Sequence, residues 1–395
     1  MKRTIFLYLS AILTLSLMQM SCDRHRLVVR GFVDEPQDSI LIDLSEFVHS
    51  ASKIELFDVI KCDGYYYFRF DGVYRDDYDG PNSILMAASE NELKAKHIPL
   101  PDGVDDFRQI FERNDTLMME SDDERVYSFD PKKWTWSPTT TRKEDRGGTS
   151  YEDDDWMVRY ADHGEFGFVS WFIDKHSPEE YAFVELNGGI RRISNTFYVV
   201  TPTRIYEIPD PTIGFHCDSA TRYEKAQEAQ LIDYHFYNAG YKPLEHFVNP
   251  VVRFDDWDIS GEDYTLEDGF RFVNNPYLTP DEIMKADTVI VNSFCASDTL
   301  FCVLNTPSGL ELAKLDDAQL VPVHLFHKSI GSNFHHRFSF PYDYPSLHTR
   351  YKYRDKSNPT DERLLLLINT EAGVSELMDL AHNGNTLLKI SYSPV

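Results

Sequence analysis

The sequence predicts an all-β fold, a β-propeller of roughly six to eight blades at about 45 residues per blade, with paired β-sandwiches as the alternative. Three observations lead there. Tyr198-Val199-Val200, Val289-Ile290-Val291, Leu300-Phe301-Cys302-Val303-Leu304 and Leu364 to Ile368 are continuous apolar runs bounded by polar turns. Runs of that kind belong to strands covered on both faces, not to a sheet with one wet side. Helical patterning is confined to short stretches, so sheets must cover sheets, and stacked blades achieve that repeatedly. Aromatic residues make up 14% of the chain, wide side chains suited to filling the space between facing sheets.

The chain opens with Lys2 and Arg3 ahead of a mostly apolar run from Ile5 to Met20. A charged start followed by an apolar run is the layout of a secretory signal. The run is interrupted by Ser10, Thr14, Ser16 and Gln19, and a spanning helix needs about 20 apolar residues. Ser21 then precedes Cys22. The stretch resembles a bacterial lipoprotein signal, in which the cysteine is acylated and becomes the new N-terminus. The resemblance implies residues 1–21 as signal peptide and a lipid on Cys22. It also implies a place in the bacterial cell envelope at the outer membrane, with plain secretion into the periplasm or beyond as the alternative. The rest, 22–395, reads as a single propeller-like domain.

The formal charge of the chain is −26, and losing Lys2 and Arg3 makes it more negative still. An acidic surface repels phosphate backbones and anionic lipid, so nucleic acid is excluded as a partner and membrane contact is expected through the N-terminal lipid only.

Taken in order, Leu27-Val28-Val29 and Ile40-Leu41-Ile42 read as short strands, Tyr65 to Phe70 as a clearer one, and Ser83 to Ala88 as the next. Leu93 to Leu100 follows and is ended by Pro99 and Pro101, since proline cannot donate to a central ladder. Five strands then open alike. Asp115-Thr116, Asn195-Thr196, Asp287-Thr288, Asp298-Thr299 and Asn385-Thr386 each place an acid or amide before a threonine and an apolar run. The first residue suits a turn, where its side chain bonds the backbone, and the β-branched threonine suits the strand. The spacing is irregular, so this is a recurring element and not a sequence repeat.

Cys295 and Cys302 lie in one such hairpin. A turn through Ala296-Ser297-Asp298 sets Cys295 opposite Thr299 and Cys302 opposite Asn292, beyond the roughly 7 Å limit for a bridge. No Cys295–Cys302 disulfide is expected. The last hairpin, Gly373–Leu380 with Thr386–Tyr392, is joined through His382-Asn383-Gly384-Asn385, where Asn-Gly favours a tight turn.

Other stretches interrupt the pattern. Thr139–Asp155 and Phe334–Lys356 read as long loops, the first charged, the second rich in aromatics and histidines. A helical insertion is expected around 216–245, capped by Asp218 or Ser219 and stopped near Gly240. Thr279-Pro280-Asp281-Glu282 is a capping box that starts a short helix to about Ala286.

With the lipoprotein-like start and strand-turn-strand units such as Thr116–Trp136 and Thr196–Ile208 in place, the chain resembles the six-bladed TolB-like propeller lipoproteins of bacteria. That resemblance implies an envelope binding or assembly factor. It brings no catalytic residue with it.

One local pattern points to a ligand. Asp256, Asp258, Ser260, Gly261, Glu262 and Glu267 fall at positions 1, 3, 5, 6, 7 and 12 of an EF-hand-type calcium loop, with Trp257 between the first two. Alternate residues of a tight loop aim oxygens inward, and a final carboxylate offers both of its own. Pro250 and Gly269 stand against helices on either side, so a solvated acidic turn is the competing reading and no cofactor is required. Trp257, inside this turn, is the tryptophan most suited to a ligand. Trp134, Trp136, Trp156 and Trp171 suit packing, the first two on one strand face. His324, His327, His335, His336 and His348 lack metal-site spacing.

No phosphate loop, nucleophile elbow or metalloprotease helix is present in the sequence. Two functions remain open on these observations. The first is a lipid-anchored, non-catalytic binding module for an envelope protein or a glycan. The second is an exported polysaccharide-acting hydrolase whose carboxylate pair lies unrecognised among the many acids.

Overall fold

A computed structural model describes residues 31–47, 51–74, 83–139, 149–162, 168–184, 189–218, 250–254, 287–326, 346–355 and 358–392. These form six sheets. The first holds β2 (Ala51–Cys62), β3 (Tyr65–Tyr74), β4 (Ser83–Ser89) and β5 (Ala95–His97); the second holds β6 (Phe107–Arg113), β7 (Thr116–Ser121), β8 (Val126–Asp130) and β9 (Thr135–Thr139). The third holds β10 (Thr149–Glu152), β11 (Trp156–Asp162), β12 (Phe168–Asp174), β13 (Glu179–Val184) and β17 (Phe215–Asp218). The fourth holds β14 (Gly189–Ile193), β15 (Thr196–Val200), β16 (Arg204–Ile208) and β18 (Pro250–Arg253). The fifth is β19 (Val289–Ala296), β20 (Thr299–Thr306), β21 (Gly309–Asp316) and β22 (Gln319–Phe326).

The sixth sheet joins the two ends of the chain. It contains β23 (Ser346–Asp355), β24 (Asn358–Glu371), β25 (Val374–Ala381) and β26 (Gly384–Tyr392), and β1 (Asp38–Ile42) adds to β26 in parallel. Shared apolar cores give the order of the sheets. The sixth and first share one, with Ile40, Ile42, Phe68, Phe70, Leu365, Leu367 and Ile390. Others join the first to the second, the third to the fourth, the fourth to the fifth and the fifth to the sixth. These cores cover five of the six junctions of a ring of sheets that runs in chain order and returns to the first, the arrangement of a six-bladed β-propeller.

The strands expected from continuous apolar runs are covered on both faces. In β24, Leu364, Leu366 and Ile368 point into the core shared with the fifth sheet, while Leu365 and Leu367 point into the core shared with the first. One strand thus fills two cores by its alternation. Burying each such side chain contributes about 1.5–3 kcal/mol.

The recurring turn element is real in three places. Asn114-Asp115, Ser194-Asn195 and Ser297-Asp298 are two-residue turns between paired strands, and Asp63-Gly64 adds a fourth. Asn114, Asp115, Ser297 and Asp298 take positive φ, as do Asp63 and Gly64, the geometry of hairpins that match strand twist. Asp287-Thr288 instead leads into the first strand of a sheet, and Asn385-Thr386 lies inside β26.

Several expectations need correction. The turn after Cys295 has two residues, not three, so Cys295 stands opposite Leu300 and Cys302 opposite Ser293. The register is one residue off the expected one, and both thiols are free. The final hairpin turns through His382-Asn383, with Gly384 already paired to Ala381. The loop expected over Thr139–Asp155 contains β10, and that over Phe334–Lys356 contains β23; in both, partners in the neighbouring strand override a polar local composition. The first residues of the insertion expected around 216–245 form β17, which pairs His216 with Tyr181 and Cys217 with Glu180. The remainder of that insertion, the capping box at Thr279, and the strand expected at Leu27-Val28-Val29 lie outside the described residues. Trp134 precedes β9 at φ +59, so it does not share a strand face with Trp136.

Candidate functional site

The calcium-type loop, with Asp256, Trp257, Asp258, Ser260, Glu262 and Glu267, and Cys22 lie outside the described residues, as do His327, His335 and His336. His324 lies on β22 and pairs with Asp34 at 3.0 Å. Trp134 and Trp136 pack on the core between the first and second sheets and donate their indole N–H groups to the carbonyls of His97 and Pro99, each at 2.9 Å. Trp171 is buried and Trp156 packs on the core of the third and fourth sheets.

The structure instead gathers chemistry on Asp361-Glu362-Arg363, the charged start of β24 just before its leucine run. Alternation along the strand sends Glu362 toward the fifth sheet and Arg363 toward the first, as it does for the leucines that follow. Glu362 accepts from the Cys295 N–H at 2.8 Å and lies 3.7 Å from Arg191 of the fourth sheet. Arg191 also donates to the Ser293 carbonyl at 3.0 Å. Asp361 accepts from the Ser297 N–H at 2.8 Å and has His382 Nδ1 at 3.6 Å.

On the other face Arg363 Nε donates to Asp379 at 2.9 Å, and Lys61 Nζ, from β2, donates to the same carboxylate at 2.8 Å. Tyr353 Oη donates to it at 2.6 Å. Lys61 is further flanked by Glu90 at 3.6 Å and by the Tyr66 ring. Asp379 is 3% exposed, so this is a buried carboxylate with three donors. Burial raises its pKa, but Lys61 and Arg363 outweigh burial and hold it below the ordinary carboxylate value. Burial also acts to lower the Lys61 pKa, yet Asp379, Tyr66 and Glu90 together push it up. Burial and then the Asp379 charge raise the Tyr353 phenol. Burial and Glu362 push the Cys295 thiol up to about 12, against the pull of Arg191. A thiol that stays protonated is a poor nucleophile.

These groups can therefore hold sheets together but are not set to attack a substrate. Asp379 already accepts from three donors, and Cys295 stays neutral. The cluster ties the fourth, fifth, sixth and first sheets through four charged side chains of β24 and β25 and their partners. Periodicity cannot reveal it, because its partners come from the first, fourth and fifth sheets as well as from neighbouring strands of the sixth. The one sequence signal is a charged triplet, Asp361 to Arg363, abutting the apolar run Leu364 to Ile368.

Among the described residues, no helix is long and apolar enough to cross a membrane. No group of three or more His, Cys, Asp or Glu among them is placed to hold a metal ion.

No protein-family model matches the chain, and no curated protein matches its sequence. Solved structures similar to it include the acylaminoacyl peptidase of Pyrococcus horikoshii, 10% identical with a TM-score of 0.36, covering 85% of this chain and 52% of that one. This chain thus spans about half the length of that peptidase. The β-propeller domain of the trilobed protease from Pyrococcus furiosus is 10% identical, with a TM-score of 0.34, over 85% of this chain and 98% of that domain. YCF48 bound to a D1 peptide is 11% identical, with a TM-score of 0.30, over 91% and 86%. At these identities and scores they carry nothing about activity, and the propeller rests on its own sheet order and shared cores.

Proposed function

We propose that the chain is a binding module of the bacterial cell envelope, anchored by a lipid on Cys22, whose propeller presents loops to a protein partner or a glycan without turning it over. The TolB-like lipoproteins are the group it then resembles in role as well as in blade count. The observation that carries this reading is the inward use of its charged groups: Asp379 is held by Lys61 of the first sheet and by Arg363 and Tyr353 of its own, while Glu362 and Arg191 bind backbone groups of the fifth sheet. A rigid ring of that kind leaves binding to its rims and loops.

The test is cross-linked capture of the tagged full chain from its own envelope, with Cys22→Ser as the unanchored control, alongside incubation with envelope polysaccharide. A stoichiometric partner or an unprocessed glycan retained by the anchored form is the expected result. Released oligosaccharide would overturn it and favour the hydrolase.

A further inference from the structure

Five of the six junctions of the ring are filled by shared apolar cores; among the described residues, the junction between the second and third sheets is not. Alternation along the third sheet shows what faces it. Val158, Phe172 and Phe183 point into the core shared with the fourth sheet. Arg159 and Trp171, which stand opposite each other in the register of β11 and β12, therefore point to the other face, toward the second sheet.

Both carry donors without acceptors. Trp171 is 5% exposed, and its indole N–H has no hydrogen-bond partner among the described residues. The Nε–H of Arg159 is buried without one as well. Trp134 and Trp136, by contrast, each give their indole N–H to a carbonyl at 2.9 Å. The chain contains 65 acidic residues, yet Arg159 joins no ion pair among the described residues. The acids of the two facing surfaces are engaged elsewhere: Glu180 has contacts of its own, Glu152 binds Lys175, and Glu120 accepts from Gln109. Buried donors are nearly always paired, so two unpaired donors side by side mark a place where an acceptor belongs.

The surroundings name the acceptor. Arginine presents Nε–H and a terminal N–H as a fork that matches the two oxygens of a carboxylate, and Trp171 adds a further donor beside it. Met157 and Ile173, the next pair in the register, are half-buried on the same face. Met118 and Val126 are buried on the side of the second sheet that turns away from its core with the first. A carboxylate with an apolar group attached fits donors flanked in this way. A phosphate, with its second charge, is disfavoured by a chain of charge −26.

We propose that the seam between the second and third sheets is a binding site for the C-terminal carboxylate of a peptide ending in an apolar residue, with Arg159 and Trp171 as its donors. This rests on the reading of the chain as a binding module, and it narrows the protein partner to one that offers a free C-terminal end. The seam is the junction that apolar contacts close least, so a chain end inserted there leaves the five cores intact.

The test is titration of full-length Cys22→Ser, carrying isotope-labelled tryptophans, with the peptide acetyl-Ala-Ala-Leu as its free acid. The chain has five tryptophans, so five indole N–H resonances are followed, and Trp171→Phe identifies the one that disappears. The free acid is expected to move the Trp171 resonance downfield to saturation while those of Trp134 and Trp136 stay. The C-terminal amide of the same peptide is expected to move none of them. Arg159→Gln is expected to weaken binding about tenfold or more, the scale of a lost hydrogen bond to a charged group. An unmoved Trp171 resonance, in a chain whose Trp134 and Trp136 resonances keep their native positions, overturns the site. So does an equal response to acid and amide, or undiminished affinity in Arg159→Gln. Movement with glucuronate but not with the peptide overturns the peptide end in favour of an acidic glycan. If the site is silent while envelope capture still yields a stoichiometric partner, the binding module stands and only the site falls. A saturable peptide site in a chain that releases oligosaccharide keeps the site and removes the non-catalytic reading.

Discussion

The junction of the sixth and first sheets and the junction of the second and third are built differently. The first shares a core of Ile40, Ile42, Leu44, Phe68, Phe70, Leu365, Leu367, Ile390 and others, holds Asp379 between Lys61 and Arg363, and is crossed by Phe47, which packs on that core and tilts against His97. Among the described residues, the second and third sheets share no apolar core. Residues 140–148 link β9 to β10, so the chain tethers those two sheets whatever their contacts. In the sixth sheet β1 and β26 come from opposite ends of the chain, and only contacts keep them together. Cohesion is concentrated where the ring closes between strands far apart in the chain.

Four measurements sharpen or break that contrast. The largest effect is expected from Asp379→Ala, which takes from Lys61 and Arg363 the buried carboxylate they share. Removing one member of a buried charged group costs about 3–5 kcal/mol, read as a lower denaturant midpoint. A loss no larger than that of an exposed acid such as Asp316→Ala would show that the cluster does not close the ring. Next, Ile42→Ala empties part of the closing core, at about 2–5 kcal/mol. Native-state hydrogen exchange should then rank the junctions, with β9 and β10 opening at lower free energy than β26 and β1. Equal protection would end the comparison.

The third effect is on pH. Asp379 titrates below its ordinary value in the fold, so its contribution is complete above about pH 4 and is lost as pH falls through the depressed value. Lys61 and Tyr353 are raised, so theirs is complete below about pH 10 and is lost as pH climbs through the raised values. Acid unfolding of Asp379→Asn should be the shallower of the two profiles. The smallest effect is expected at Trp136→Phe, which keeps a ring against Phe129 but removes the donor to the Pro99 carbonyl, a bond that contributes about 0.5–1.5 kcal/mol. A loss matching that at Ile42 would make the first and second sheets as dependent on their contacts as the closing pair.

Much of the architecture was legible because it is local. Leu364 to Ile368 announced a strand buried on both faces, and Asn114-Asp115-Thr116 and Ser297-Asp298-Thr299 announced hairpins, since both signals act within a few residues. Ser346–Asp355 and Thr149–Glu152 were not legible as strands. Their partners, β24 and β11, supply the ladder that their own polar composition does not suggest. The Cys295 register failed by one residue because two-residue and three-residue turns differ by one backbone unit, with Ser297 and Asp298 both at positive φ deciding for the shorter. The Asp379 cluster was illegible for a plainer reason. Lys61, Tyr353, Arg363 and Asp379 come from β2, β23, β24 and β25, and nothing in a linear reading brings Lys61 to the other three.

The pairing of β1 with β26 also sets an order of events. Val33 and Asn385, which hold each other at the rim, are 352 residues apart in the chain. A polypeptide still being synthesised has no partner for β1 until its last strand has emerged, and contacts of such long sequence separation form late and slowly. The nascent chain can stack blades one after another, but it cannot lock them, and it stays openable until the final strand arrives.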